Sequence, residues 1–178
     1  ASILESPQAS IKALTAPDQE QKTVELYNRL QKQEKESIRE YLKSNKTNLA
    51  AKYSLTLTRS RIELVAACYV NSTMDIGNVI KKIKSYYDEI KKIELYFFKN
   101  HDINIVLEED AIDFIIEQLV ESFVEINIID EKINQDFQHG LKLAREKTGR
   151  NRFFITRQAL LDPEVYIGNL IKDNLEQT

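Results

Sequence analysis

YFFKNHDINIVLEEDAIDFIIEQLV, residues 96–120, decides the fold of this 178-residue chain. Tyr96, Phe97 and Phe98 close a helix in an aromatic cluster, and Lys99 to Asp102 form a turn. Ile103, Ile105 and Leu107 then alternate with Asn104 and Val106, the period-two pattern of a short strand. Glu108, Glu109 and Asp110 gather negative charge where the dipole of a new helix favours it. Ile112, Ile115, Ile116 and Leu119 fall on one face of that helix.

Upstream, Ser72 or Thr73 is placed to cap a long helix from Met74 to about Lys99. Ile76, Val79, Ile80, Ile83, Tyr86, Tyr87, Ile90, Ile93 and Phe97 recur at steps of three and four along it, the clearest amphipathic signal in the chain. Its other face carries Lys81, Lys82, Lys84, Lys91 and Lys92. Asp88, Glu89 and Glu94 interrupt these lysines, and the tyrosines lie on the apolar stripe, so the face argues against nucleic-acid binding. Before it, Ser54 to Leu57 (SLTL) reads as a short strand, and Thr58 or Ser60 caps a helix from Arg61 to Val70. Asp18 caps a longer helix whose apolar positions are Val24, Leu26, Tyr27, Leu30, Ile38, Tyr41 and Leu42. Gln31 to Ser37 between them are polar, which predicts an exposed helix with a buried stripe near each end.

Downstream, Asn127 to Asp130 predicts a turn, with Asp130 capping a helix through Ile133, Phe137, Leu141 and Ala144. Lys142, Arg145 and Lys147 suit its negative end, and Gly149 its left-handed closure. Arg152 to Thr156 (RFFIT) reads as a third strand, and Asp162-Pro163 opens a final helix through Val165, Ile167, Leu170 and Ile171. Two internal echoes cross this pattern. Leu55, Leu57, Ile62, Leu64 and Val65 match Ile105, Leu107, Ile112, Phe114 and Ile115 at an offset of 50. Leu4, Pro7, Ile11 and Leu14 match Leu160, Pro163, Ile167 and Leu170 at an offset of 156. If the first echo reflects shared structure, the three strands pair in one small sheet flanked by helices.

Composition sets the bounds. Four glycines and three prolines over this length favour long helices, and a net charge of −3 gives no general attraction to nucleic acid or anionic membranes. No apolar run approaches 18 residues, so no membrane span is expected. Cys68, the single cysteine, has no internal disulfide partner and reads as a buried apolar residue in a reducing cytoplasm. The chain opens at Ala1 without a methionine, as an excised piece of a longer protein would. The fold class expected is mainly α (α+β), helical with up to three short strands. Residues 1–52 form an N-terminal helical extension or arm, and 53–178 the main domain.

The run from Leu95 to Phe98, Ile103 to Leu107, Glu108 to Leu119 and then His139-Gly140-Leu141-Lys142 resembles the small C-terminal lid subdomain of Clp-type AAA+ ATPases. The resemblance covers about Asp75 to Ile155. It implies a lid that couples nucleotide state to subunit motion. Its partners would be the large AAA+ subdomain of the same protein, neighbouring subunits of a homo-oligomeric ring, and a protein substrate. ATP and magnesium are implied for the parent protein, not for this chain. In the family, a G-A-R-G-L-R helix start supplies an arginine that senses the nucleotide phosphates. The matching residues here are Phe137 to Lys142, with Phe137 at the first glycine, His139 at the sensor arginine and Lys142 at the second arginine. His139, Lys142 and the nearby Arg145 are therefore the candidate nucleotide-contacting residues.

The glycines, Gly77, Gly140, Gly149 and Gly168, form no phosphate loop, so the chain should not hydrolyse ATP alone. His101 and His139 have no cysteine or carboxylate at metal-ligand spacing, and no serine stands in a nucleophile context, so neither a metal site nor a catalytic residue is assigned. The alternative reading is a stand-alone helical protein–protein interaction module unrelated to nucleotide.

Overall fold

The computed structural model describes residues 17–176. Eight helices and two strands follow in order: α1 Pro17–Ser44, α2 Lys46–Tyr53, α3 Arg59–Val70, α4 Ile76–His101, β1 Asn104–Leu107, α5 Glu109–Glu121, α6 Ile126–Thr148, β2 Arg152–Ile155, α7 Arg157–Leu161 and α8 Pro163–Glu176. The mainly helical class expected from sequence is the one observed.

The stretch at 96–120 folds as its pattern dictates except at Lys99 to His101, which continue the helix where a turn was expected. α4 buries Val79, Ile80, Ile83, Ile90, Ile93 and Phe97 along one stripe. It ends where Asp102 turns left-handed (φ 55) and returns its N–H to the Phe98 carbonyl. β1 then points Ile105 and Leu107 inward. α5 buries Ala111, Ile112, Ile115, Ile116 and Leu119. After the α5–α6 crossover, β2 lies parallel to β1, with Ile105 opposite Phe153 and Leu107 opposite Ile155. Parallel strands need such a helical crossover.

Several boundaries differ from the sequence reading. Asp75, not Ser72 or Thr73, caps α4 by accepting the Asn78 N–H. α6 starts at Ile126, so the predicted turn at Asn127 to Asp130 is helical and Asp130 is not its cap. The chain reverses earlier, at Ser122 to Glu125, where Phe123 adopts φ 52. Thr58 does cap α3, accepting the Arg61 N–H, and Gly149 closes α6 at φ 73.

Two strands form the sheet among the described residues, not three. Leu55 and Leu57 are buried and Ser54 and Thr56 exposed, as in a strand, but no ladder forms. Leu55 N–H instead reaches the Ala50 carbonyl, and the Thr56 carbonyl accepts from Thr58 N–H and from Arg61 Nη1. The echo at offset 50 therefore holds for burial and for the turn into a helix, but not for sheet pairing. The first half of the other echo, Leu4 to Leu14, lies outside the described residues.

α1 runs antiparallel to α3. Arg39 bonds Glu63 from one turn, and Gln31 bonds Asn71, the C-cap of α3, from another. Leu42 is fully buried there and joins the core that continues through every later element up to α7. α3 ends opposite Gln31. Residues 17–30 consequently overhang by about 21 Å of helix. Val24, Leu26, Tyr27 and Leu30 are exposed on that overhang. The buried stripe expected near the start of this helix is thus exposed, because no neighbour among the described residues reaches it.

Candidate functional site

The three sequence candidates follow one another at steps of three along α6. His139 is exposed, and Lys142 and Arg145 are half-buried. Arg145 Nη1 donates to the Asp102 carbonyl at 2.9 Å, and Asn151 Nδ2 donates to the same oxygen at 3.1 Å. Arg145 thereby ties the left-handed end of α4 to α6, a structural task. Gly140 also has a packing reason. A Cβ there would lie 2.2 Å from Ile167 Cδ1 and 3.0 Å from its Cγ2, so a larger residue would force the Ile167 side chain of α8 to move. Tyr166 beside that contact donates its hydroxyl to the Phe154 carbonyl at 2.6 Å, and burial pushes its phenol up to about 12. No group of side chains able to hold a metal ion occurs among the described residues.

The acidic start of α5 serves a purpose beyond the helix dipole. Arg61 is only 1% exposed. Its Nε donates to Asp113 Oδ1 at 2.8 Å, its Nη2 to Glu109 Oε2, and its Nη1 to the Thr56 carbonyl at 2.9 Å. Its guanidinium also lies 4.9 Å from the ring centre of Tyr87 on α4. Tyr87 in turn donates its hydroxyl to Glu109 at 3.2 Å, and Thr58 Oγ1 donates to Asp113 at 3.3 Å. Burial pushes the Asp113 carboxyl above its usual range, against the pull of Arg61. One cation thus fastens α3, α4 and α5 together, with its donors turned to protein acceptors. Sequence reasoning left this clamp out. The echo at offset 50 carried the signal, since it aligns Arg61 with Ala111, a buried position.

The most apolar of the openings on the described residues is a groove of about 310 Å³ between α5, α6 and α7. Phe114, Ile115, Val124, Ile129, Ile133 and Leu160 form its floor and walls. Lys132 stands at its mouth, its side chain 69% exposed, and pairs with the recessed Asp136 at 3.2 Å. Arg157 lies 5.1 Å over the Phe114 ring on one wall. At the end of the groove the α5–α6 turn presents Phe123, 87% exposed. A hydrophobic floor with a few charged groups at the rim suits the binding of an apolar group.

No protein-family model, curated protein or solved structure matches this chain.

Proposed function

We propose that the chain is the C-terminal lid and accessory region of a Clp-like AAA+ ATPase, a cytoplasmic unfoldase or chaperone whose ring contacts and subunit motion it couples to nucleotide state. The reading is supported above all by element order. α4, which ends at His101 one turn past its aromatic cluster, leads to β1, an acidic turn, the Ala111-containing α5, and an α6 that carries Gly140-Leu141. A stiff body with a continuous core suits a lever, because interiors packed to crystal density transmit displacement instead of absorbing it. The chain supplies no phosphate loop, so catalysis would belong to a large subdomain that binds ATP and magnesium. Of the three candidate residues, Lys142 is best suited to a phosphate. It forms no ion pair among the described residues, whereas Arg145 is committed to Asp102.

The test begins with the natural reading frame upstream of Ala1. A phosphate loop and an acidic strand end there would allow ATP turnover of the whole protein to be compared with that of Lys142→Ala and His139→Ala. Slower turnover with unchanged assembly supports the reading. A reading frame without those motifs sinks it. The second reading, a helical protein–protein interaction module, is favoured by one observation, the apolar overhang of α1 at Val24, Leu26, Tyr27 and Leu30. It predicts that alanines at those four positions abolish partner binding without changing stability.

A further inference from the structure

The α5–α6 turn pairs a protruding aromatic with an apolar groove on the same edge of the molecule. Phe123 is 87% exposed and stands at φ 52, a backbone region that bulky residues rarely occupy. The turn therefore drives the ring outward, where no core position claims it. Val124, the next residue, lines the groove on one side and the shelf beneath Phe123 on the other. A cavity of about 150 Å³ lined by apolar side chains accepts a benzene ring. The groove, at about 310 Å³, has room for a phenyl ring and its neighbours.

We propose that two copies of this chain associate about a two-fold axis, each seating its Phe123 in the groove of the other. The choice of a second copy rests on self-complementarity and on charge. Knob and hole lie one residue apart, so a two-fold apposition engages both at once, as an isologous interface requires. A head-to-tail contact between two copies would leave one knob and one hole open to further copies and would not close as a pair. Phe123 is flanked by exposed Glu121 and Glu125, with no cation between Leu119 and Asn127. Exposed cations stand outward beside the groove, Lys132 at its mouth and Arg157 over the Phe114 ring, while Asp136, paired with Lys132, and Glu117 are half-buried. An acidic-flanked phenyl thus meets an apolar slot rimmed by cations. Ile128 and Leu161, both more than half exposed beside the groove, extend the apolar contact. The proposal does not depend on the lid reading.

Sedimentation equilibrium of the 178-residue chain from micromolar to millimolar concentration tests it. A monomer–dimer equilibrium is expected. Phe123→Ala should raise the dissociation constant about thirtyfold, the size of a central aromatic anchor, with an unchanged far-ultraviolet spectrum because Phe123 is outside the core. Lys132→Glu and Glu125→Lys should each weaken the dimer, and the two together should restore it to about a threefold difference from the parent, since the pair is then reversed and not lost. A chain that stays monomeric throughout overturns the proposal. So does a dimer indifferent to Phe123→Ala. A dimer weakened by Phe123→Ala but not rescued by charge reversal overturns it as well, because Phe123 would then contact a different surface or partner.

Discussion

Replacing Arg61 by Met should expose how much of the fold hangs on one buried cation. The methionine keeps much of the length and apolar stem but removes the donors to Asp113, Glu109 and the Thr56 carbonyl. Glu109 can turn to water, being exposed, but Asp113 cannot, because it is 6% exposed. It keeps only the Thr58 hydroxyl at 3.3 Å. Removing one partner of a buried pair typically costs about 3–5 kcal/mol. For a chain of this size that is a fall in Tm of roughly 6–20 °C. Urea titrations followed by circular dichroism, with m unchanged, measure the loss.

The double variant Arg61→Met/Asp113→Leu should recover most of the loss, ending within about 1 kcal/mol of the parent, since no unpaired charge remains buried. The pH dependence has a defined sign. Without Arg61 to pull it down, the Asp113 carboxyl, already raised by burial, rises further. The folded single variant then binds its proton more tightly than the unfolded chain does. Its stability is therefore greatest below the ordinary aspartate value of about 3.9 and falls as pH climbs from there through the raised folded value. The double variant should lack that slope. Single losses that simply add in the double variant, or a single loss under about 1 kcal/mol, would refute the clamp, because coupled neighbours are expected to be non-additive.

Three further outcomes follow from the packing. Gly140→Ala forces a methyl against Ile167, so it should destabilise by about 1–3 kcal/mol and raise amide exchange in α8; adding Ile167→Ala should give much of this back. Arg145→Ala should cost about 1–2 kcal/mol through its bond to the Asp102 carbonyl, whereas His139→Ala and Lys142→Ala should change the unfolding free energy from urea titration by less than about 0.5 kcal/mol; equal effects at all three would refute the structural assignment of Arg145. At concentrations low enough to keep the chain monomeric, Phe123→Gly should raise stability by about 0.5–1 kcal/mol, read as a higher urea midpoint, because glycine takes φ 52 without the steric cost that phenylalanine bears there.

The core of residues 96–120 was legible because its signals are local. The alternation at Ile103–Leu107 and the spacing at Ile112–Leu119 need no knowledge of distant partners. The failures share the opposite property. Ser54–Leu57 has the burial alternation of a strand, but a strand exists only if another edge accepts it, and Arg61 takes the Thr56 carbonyl instead. The helix through Val24 and Leu30 shows an apolar face, yet the pattern cannot say that α3 stops short of it. Arg61 reads as no more than the first residue of a helix because its partners Glu109 and Asp113 lie 48 and 52 positions away. The reversal at Phe123 uses a residue with no preference for a left-handed backbone, so propensity favoured Asn127 to Asp130. At the candidate site, spacing found α6 and its glycine. It could not tell a phosphate-facing cation from one committed to the end of α4.

The parallel pairing of β1 with β2 also fixes an order of events during synthesis. Leu107 meets Ile155 only after 48 more residues have left the ribosome, about 2–10 s at usual elongation rates. One side of β1 need not wait, since Glu94 of α4, already made, accepts the Leu107 N–H at 2.9 Å. The opposite side stays open until Arg152–Ile155 emerges. A nascent chain, or one cut short before β2, therefore carries a single unsheltered strand edge, the sort of surface on which growing chains stick to each other.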